Sequence, residues 1–600
     1  MSLPHLTTTT LQQYSSDNAY ARGEDYFRSG AVVSVTQRQQ TLQAVVEGNQ
    51  PTPYRVTIAF DEGGITQAHC TCAYDWGGWC KHIVATLLTC IHQPERVEQR
   101  PTVQQLLEPL NLEQTQHLVE RLVAEQPELI EWVDRSVSGL VRSGSVDISP
   151  NSSQRKTSVD PAPFERQTRA VLRQALREWE YGREDDDIAI EITPLINTGL
   201  EFLEQGDAAS ALAVLEGITE GFAREWPEID EFCGLMPTDI GLDLDAIWTE
   251  LFLSADLNEE EVLVWQENLE AWQDYLNSFA MALEALRQGW NYPPLVRVLQ
   301  GEVTAQRAWP GGAPDWAGDF CQIRLKVLAR QERYEEYLRL ARAEGQTEQY
   351  LTMLAQLGRT EQAISVAQQQ MNTMAQAQAL AETLRSQNQL PQALDIALEG
   401  LQLHADNLYQ QFDFAIWTSD LAEGLGNLAA ALTARRAAFE IQTSLPDYHK
   451  LQELARADWP TLQPQLLAAL RDIQGWGIEK AKVDIFLHEG LLAAAIATVA
   501  GLDPYYSDVI WQVMDAVLAQ KNADRAMLQW VIDKASPCAE AIINKGKAKN
   551  YEQAVDWLKR VKVAFLALEK EADWSQYHQN LQQAHHRKRK LMGLMQDNQL

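Results

Sequence analysis

Cysteine is scarce in this chain, seven residues in 600. So few, and an odd number, exclude a disulfide-knit scaffold and point to a reducing compartment, so a cytoplasmic protein is expected. Long apolar runs are also lacking. The longest, Leu491 to Leu502 with Gly501 inside it, is about half of what a membrane-spanning helix requires, so no membrane partner is expected. Met1 to Thr10 has neither a basic region nor an apolar core, and no secretory leader is expected. Positive charge is in short supply, with 50 Lys and Arg against 83 Asp and Glu, a net charge of −33. That balance argues against a chain that coats nucleic acid or anionic lipid along its whole surface. Catalytic signatures are missing too: there is no phosphate loop ending Gly-Lys-Ser/Thr, no His-Glu-x-x-His and no Gly-x-Ser-x-Gly. Neither an enzyme nor a small-molecule substrate is expected.

What is present is an ordinary globular composition, 45% apolar and 22% charged, in a chain too long for one hydrophobic core. The charge is uneven. Residues 1–100 hold seven basic and nine acidic side chains and are nearly neutral, whereas 545–590 hold eleven basic against five acidic. The latter stretch ends in the run His585-His586-Arg587-Lys588-Arg589-Lys590. The acidity therefore belongs to the middle of the chain.

Residues 1–100 read as mixed α/β. Asn18 to Gly30 is a short helix, and Ala31 to Thr36 and Thr41 to Glu47 are β-branched strands. Tyr54 to Phe60 alternates apolar and polar residues with period two. It turns at Asp61-Glu62-Gly63-Gly64 and returns over Ile65 to Cys72. From Lys81, Val84, Leu87, Leu88 and Ile91 take the spacing of an amphipathic helix. Residues 101–141 read as a small helical unit, and 142–167, rich in Ser and Pro, as a flexible linker.

Residues 168–600 read as helix after helix with a weak repeat: Gly, Asn or Lys, four residues, then Ala and an aliphatic. It occurs at Gly206/Ala211, Gly358/Ala363, Asn388/Ala393, Gly426/Ala431, Gly490/Ala495 and Lys549/Ala554. Gly or Asn permits the turn between helices, and Ala lets the next helix approach its neighbour closely. The fold class expected is mostly α: a small N-terminal α/β module followed by a long α-solenoid of tetratricopeptide-like helical hairpins.

One segment carries chemistry, His69-Cys70-Thr71-Cys72-Ala73-Tyr74-Asp75-Trp76-Gly77-Gly78-Trp79-Cys80-Lys81-His82. Cys70 and Cys72, two apart on a strand, direct their thiols to one face, and Gly77 and Gly78 allow the chain to fold back. Cys80 and His82 then arrive at the start of a helix, whose positive end and Lys81 favour thiolates. Three thiolates and one imidazole make a closed tetrahedral site for a single structural Zn²⁺, with no open position for an activated water. His69 should face away from the thiols, and Cys90 lies more than two helical turns past His82; neither is expected to be a ligand. Trp76 and Trp79 are read as shielding the site. Glu184-Asp185-Asp186-Asp187 lacks a cation-binding spacing and is read as a solvated loop.

Cys-x-Cys, seven residues, Cys-x-His on a strand–turn–helix resembles the SWIM-type zinc finger of bacterial proteins. The lead-in Tyr20-Ala21-Arg22-Gly23 to Gly30-Ala31-Val32, the Leu110 to Leu129 segment and the tail from Tyr551 are similar to theirs as well. The resemblance implies zinc ligation by Cys70, Cys72, Cys80 and His82 and contact with protein or DNA, and it does not imply catalysis. The expected function is a non-catalytic zinc-binding adaptor whose helices hold partner proteins. The alternatives are direct DNA binding through the zinc module and basic C-terminus and, from the resemblance alone, a regulatory subunit of a SWI2/SNF2-type ATPase.

Overall fold

The computed structural model describes residues 6–600 except 75–76, 128, 131–132, 134–158, 181–187, 235–236, 277–278, 303–307, 310–311, 474–476 and 522. The acidic run at 184–187 and Trp76 therefore lie outside the described residues. The chain forms two compact units, one of Met1–Thr102 together with Leu390–Leu600, the other of Val103–Gln389.

The first unit opens with helices α1 (Thr8–Gln13) and α2 (Asp17–Arg28), each capped by a hydroxyl, Thr7 and Ser16, that accepts an amide hydrogen bond from its first turn. Gly30, at φ 74°, ends the second of these, and the chain enters the strands β1 (Val32–Arg38), β2 (Thr41–Val46), β3 (Tyr54–Asp61) and β4 (Gly64–Cys70). Helix α3 (Lys81–His92) and a short β5 (Val97–Gln99) follow. The sheet order is β4-β3-β2-β1-β5. The first four strands pair antiparallel in sequence order, and β5 returns parallel to β1. The period-two pattern does what it predicts: Val56, Ile58 and Phe60 are buried while Arg55 and Thr57 are exposed. Leu42, Ala44 and Val46 from β2 join them in one core with Val32 and Val35. Each such side chain contributes about 1.5–3 kcal/mol on burial.

Helix α3 corrects an expectation. Its spacing indicates one apolar face, yet every residue from Ile83 to Cys90 is buried. The sheet takes one side and α2 the other. Gly23 makes this closeness possible, since a Cβ there would lie 2.5 Å from Val84. The two threonines this buries, Thr86 and Thr89, donate their hydroxyls back to the His82 and Ala85 carbonyls at 2.9 Å, so neither hydroxyl is stranded.

Helical hairpins fill the rest of both units. Helices pack on the next and next-but-one in sequence, as Thr347–Gln356 does on Thr360–Gln370 and Met374–Ser386, and Glu479–His488 on Leu492–Val499 and Ser507–Leu518. All six repeat alanines, Ala211, Ala363, Ala393, Ala431, Ala495 and Ala554, are 0% exposed. Gly206, Gly358, Asn388, Gly426 and Gly490 have φ between 61° and 79°. Each is followed by a residue whose amide reaches back to a carbonyl five positions earlier, as Arg359 does to Leu354 and Leu491 to Phe486. This is the Schellman closure of a helix end. Lys549 departs from the pattern, lying in the 3₁₀ turn Ala548–Asn550. The same closure recurs at Glu332 and Glu569, both at left-handed φ, with Tyr337 and Trp574 in place of the alanine.

The last six residues of the expected linker are helical. Residues 142–158 lie outside the described residues, but the helix Ala162–Glu180 already includes 162–167. Pro163 is tolerated there because the first turn has no amide to satisfy. That helix lies against Ala208–Cys233, where Gly217 and Gly221 admit the backbone of its N-terminal end and Glu225 receives Arg169 and Arg173 at 2.6 and 2.8 Å.

Within the first unit, the N-terminal module rests on the helices Leu408–Gly424, Leu428–Ile441 and Leu445–Ala455. The β3–β4 turn touches the first of these backbone to backbone, and a Cβ on Gly424 would lie 2.4 Å from the Gly63 carbonyl carbon. Gly424→Ala is expected to lower the stability of this unit by about 1–3 kcal/mol, as overpacking against backbone does. Urea melting with hydrogen exchange at residues 58–70 checks it, and an unperturbed exchange profile there would refute the contact.

Candidate metal centre

Cys70 is the last residue of β4, Cys72 lies in the bend beyond it, Cys80 is the N-cap of α3 and His82 its second residue. Cys72 thus leaves the strand two residues sooner than the alternation suggests. The chain beside it stays tied to β3, because the Thr71 amide donates to the Arg55 carbonyl at 3.0 Å and the Arg55 amide to the Thr71 hydroxyl at 2.9 Å. Gly77 and Gly78, with φ of 77° and 71°, supply the left-handed backbone that brings the second pair of ligands round.

The three sulfurs and one ring nitrogen lie within 4.8 Å of one another, the one such His/Cys/Asp/Glu group found among the described residues. His82 Nδ1 is 3.6 Å from Cys70 Sγ and 3.9 Å from Cys80 Sγ. Zn–S and Zn–N bonds of about 2.3 and 2.0 Å at tetrahedral angles put sulfur and nitrogen about 3.6 Å apart, so these donors fit that ion. The His82 ring is oriented by aromatic packing: it stacks on Tyr54 at 4.1 Å and meets the edge of Tyr26 at 5.3 Å. Gly48 leaves room for Tyr54, whose ring a Cβ there would strike at 2.5 Å. His82 Nε2 is buried with no hydrogen-bond partner.

The thiols share charge unequally. Cys80 is pulled down to about 4, chiefly by a hydrogen bond from the Cys70 thiol and further by His82 and the Ile83 amide, against the cost of burial. Cys70, the donor in that bond, is pushed up correspondingly, and burial raises Cys72. Zn²⁺ would supply the positive charge that lets all three stand as thiolates together.

The neighbouring candidates fall where the sequence puts them. His69 is exposed, and its strand position pairs with Thr57. Cys90 is buried in the core, and burial pushes its thiol up to about 12. Cys70, Cys72, Cys80, Cys90, Cys321 and Cys538 are all free. Trp79, read above as shielding the site, is half-buried and stacked on Tyr14 at 4.8 Å, a partner no sequence pattern indicates. The sequence also leaves unannounced an open cleft of about 590 Å³ beside the cluster, lined by Arg22, Tyr54, Tyr74 and Lys81 together with Cys72, Cys80 and His82. No helix among the described residues is long and apolar enough to cross a membrane.

Comparison with known proteins agrees with this site. The chain is 35% identical over 117 residues to the zinc finger SWIM domain-containing protein 8 homolog of Drosophila melanogaster, a match spanning 19% of this chain and 6% of that protein. Among solved structures, the P58(IPK) TPR domain aligns over 68% of this chain and 97% of its own at 14% identity. Its TM-score of 0.16 is too low to define a shared fold, and the hairpin architecture rests on the helices themselves. Residues 54–91, from the first residue of β3 to the last turn of α3, match the family model of the SWIM zinc finger.

Proposed function

We propose that the protein is a non-catalytic, zinc-binding adaptor of a reducing compartment. In this reading Cys70, Cys72, Cys80 and His82 hold one structural ion and the helical hairpins hold partner proteins. The convergence of four donors within 4.8 Å of one another, with His82 Nδ1 3.6 and 3.9 Å from two of the sulfurs, carries it. Four protein ligands leave no position for a bound water, and stacked hairpins give extended surfaces for other chains. The test is elemental analysis of the full chain, which should give one zinc per molecule, with capture of partners by the tagged protein. A chain free of zinc after purification without chelator would sink the reading.

A second reading, direct DNA contact, is favoured by the cleft, because Arg22 and Lys81 stand beside Tyr54 and Tyr74. The basic C-terminus supports it less. Lys588 donates to the Ile543 carbonyl at the end of Arg525–Lys545, and Lys590 pairs with Glu552 at 3.4 Å, so part of that charge serves the fold. If DNA binds at the cleft, a mobility shift at low salt should weaken about tenfold or more between 50 and 200 mM salt and vanish in the Arg22→Ala/Lys81→Ala variant. No shift at low salt refutes this reading. The bacterial affinity of the flanking segments and the ATPase-subunit reading rest on the sequence resemblance alone.

A further inference from the structure

Tyr14 touches both the metal loop and the helical array. On one side its carbonyl accepts the Trp79 amide at 2.6 Å, and its ring lies on the Trp79 indole with the planes 24° apart. Gly78 passes so close beneath that a Cβ would sit 2.6 Å from the same carbonyl. Trp79 immediately precedes Cys80. On the other side the Tyr14 hydroxyl donates to Asp420 in Leu408–Gly424, and Asp420 pairs with the fully buried Arg435 of Leu428–Ile441. The Tyr14 ring packs with Ala415, Ile416 and Ala438 from those two helices. Arg435 reaches onward to Ser419 and to Asp447 at 3.2 and 3.3 Å.

Among the described residues of the metal loop, Thr71 is held to the Arg55 backbone and Tyr74 and Trp79 pack against the module's core. Two adjacent glycines at positive φ carry its return, and Thr71, Ala73, Gly77 and Gly78 are exposed. Fixing such a segment costs backbone entropy that an ion bridging β4 to the first turn of α3 would offset. An ion that fixes Cys80 would also fix the adjacent Trp79, and through it one side of Tyr14.

We propose that ion occupancy at Cys70, Cys72, Cys80 and His82 and the seating of Tyr14 on helices 408–441 are one coupled equilibrium. Emptying the site then loosens the N-terminal module from the array and opens the Asp420–Arg435 network. This rests on the zinc reading above. Coupling between two sites is reciprocal: whatever factor zinc adds to docking, docking adds to zinc affinity.

The experiment uses the full chain, zinc content measured first. Hydrogen–deuterium exchange is followed with and without a zinc chelator, and zinc affinity is measured by competition with a chromophoric chelator in the parent protein and in Tyr14→Phe. That variant keeps the ring and removes the hydroxyl that donates to Asp420. The expected results are exchange in 408–441 accelerated at least tenfold by chelation and zinc held about fivefold or more weakly by Tyr14→Phe. A chain without zinc refutes the metal reading. A chain that binds zinc, exchanges faster only within 54–91 on chelation and shows unchanged affinity in Tyr14→Phe overturns the coupling and leaves the metal reading intact.

Discussion

Cys80→Ala is expected to empty the metal site and unfold β4, the loop beyond it and the first turn of α3 at temperatures where the parent module is intact. Cys80 is the ligand on which the others converge. It is the N-cap residue of α3, lies in the hydrophobic core with 3% of its surface exposed, and stands beside both Cys70 and His82. Structural zinc contributes about 10–16 kcal/mol of binding free energy in small zinc modules, most of it expressed as folding. The core formed by β1–β3 and α3 can retain part of the sheet without metal, so the loss should concentrate in β4, the loop and the first turn of α3. Elemental analysis should fall from one zinc per chain to none, and the low-temperature melting step should shift or vanish. Cys90→Ala, in the same helix but away from the cluster, should keep its zinc. A Cys80→Ala protein with full zinc and an unchanged melting profile would rule out the tetrad.

The second large effect is expected from Arg435→Ala. This guanidinium is completely buried, and Asp420 and Asp447 flank it. Burial alone would push the arginine down, but the two carboxylates outweigh it and hold it above its ordinary value. Removing one partner from a buried ionic cluster leaves charge without compensation, a loss of about 3–5 kcal/mol. Exchange-resolved denaturation of helices 408–455 is the measurement. Arg435→Met combined with Asp420→Asn and Asp447→Asn should recover much of that loss, since the deficit is stranded charge more than missing volume. A loss below about 1 kcal/mol in the single variant would show that the cluster adds no net stability.

How far the fold and site could be read in advance follows from which interactions are local. The tetrad was legible because ligand types and spacing are written in thirteen consecutive residues. The hairpin β3–β4 was legible because alternation and a Gly-Gly turn are local too. Six inter-helix turns announced themselves through a Gly, Asn or Lys and a buried Ala. Glu332 and Glu569 adopt the same left-handed turn without glycine, and Tyr337 and Trp574 replace the alanine, so their turns carry no compositional mark. Complete burial of α3 was hidden because its second cover, α2, is recognised only through the small size of Gly23. The short β5 pairs with a strand about sixty residues earlier and has only three residues in which to show a pattern.

By itself, the sequence determined which four Cys and His side chains gather, the alternation of β3, the dominance of helix and the exclusion of a disulfide scaffold, since each depends on residue type and near-neighbour spacing. Only the tertiary structure decided that residues 1–102 share a compact unit with 390–600, with Tyr14, Gly63, Gly424 and Arg435 at the contact. Nothing local could mark those positions. A tyrosine at a helix end, a glycine in a turn, another closing a helix and an arginine in an alanine-rich helix acquire their roles only when about four hundred residues of intervening chain have folded back.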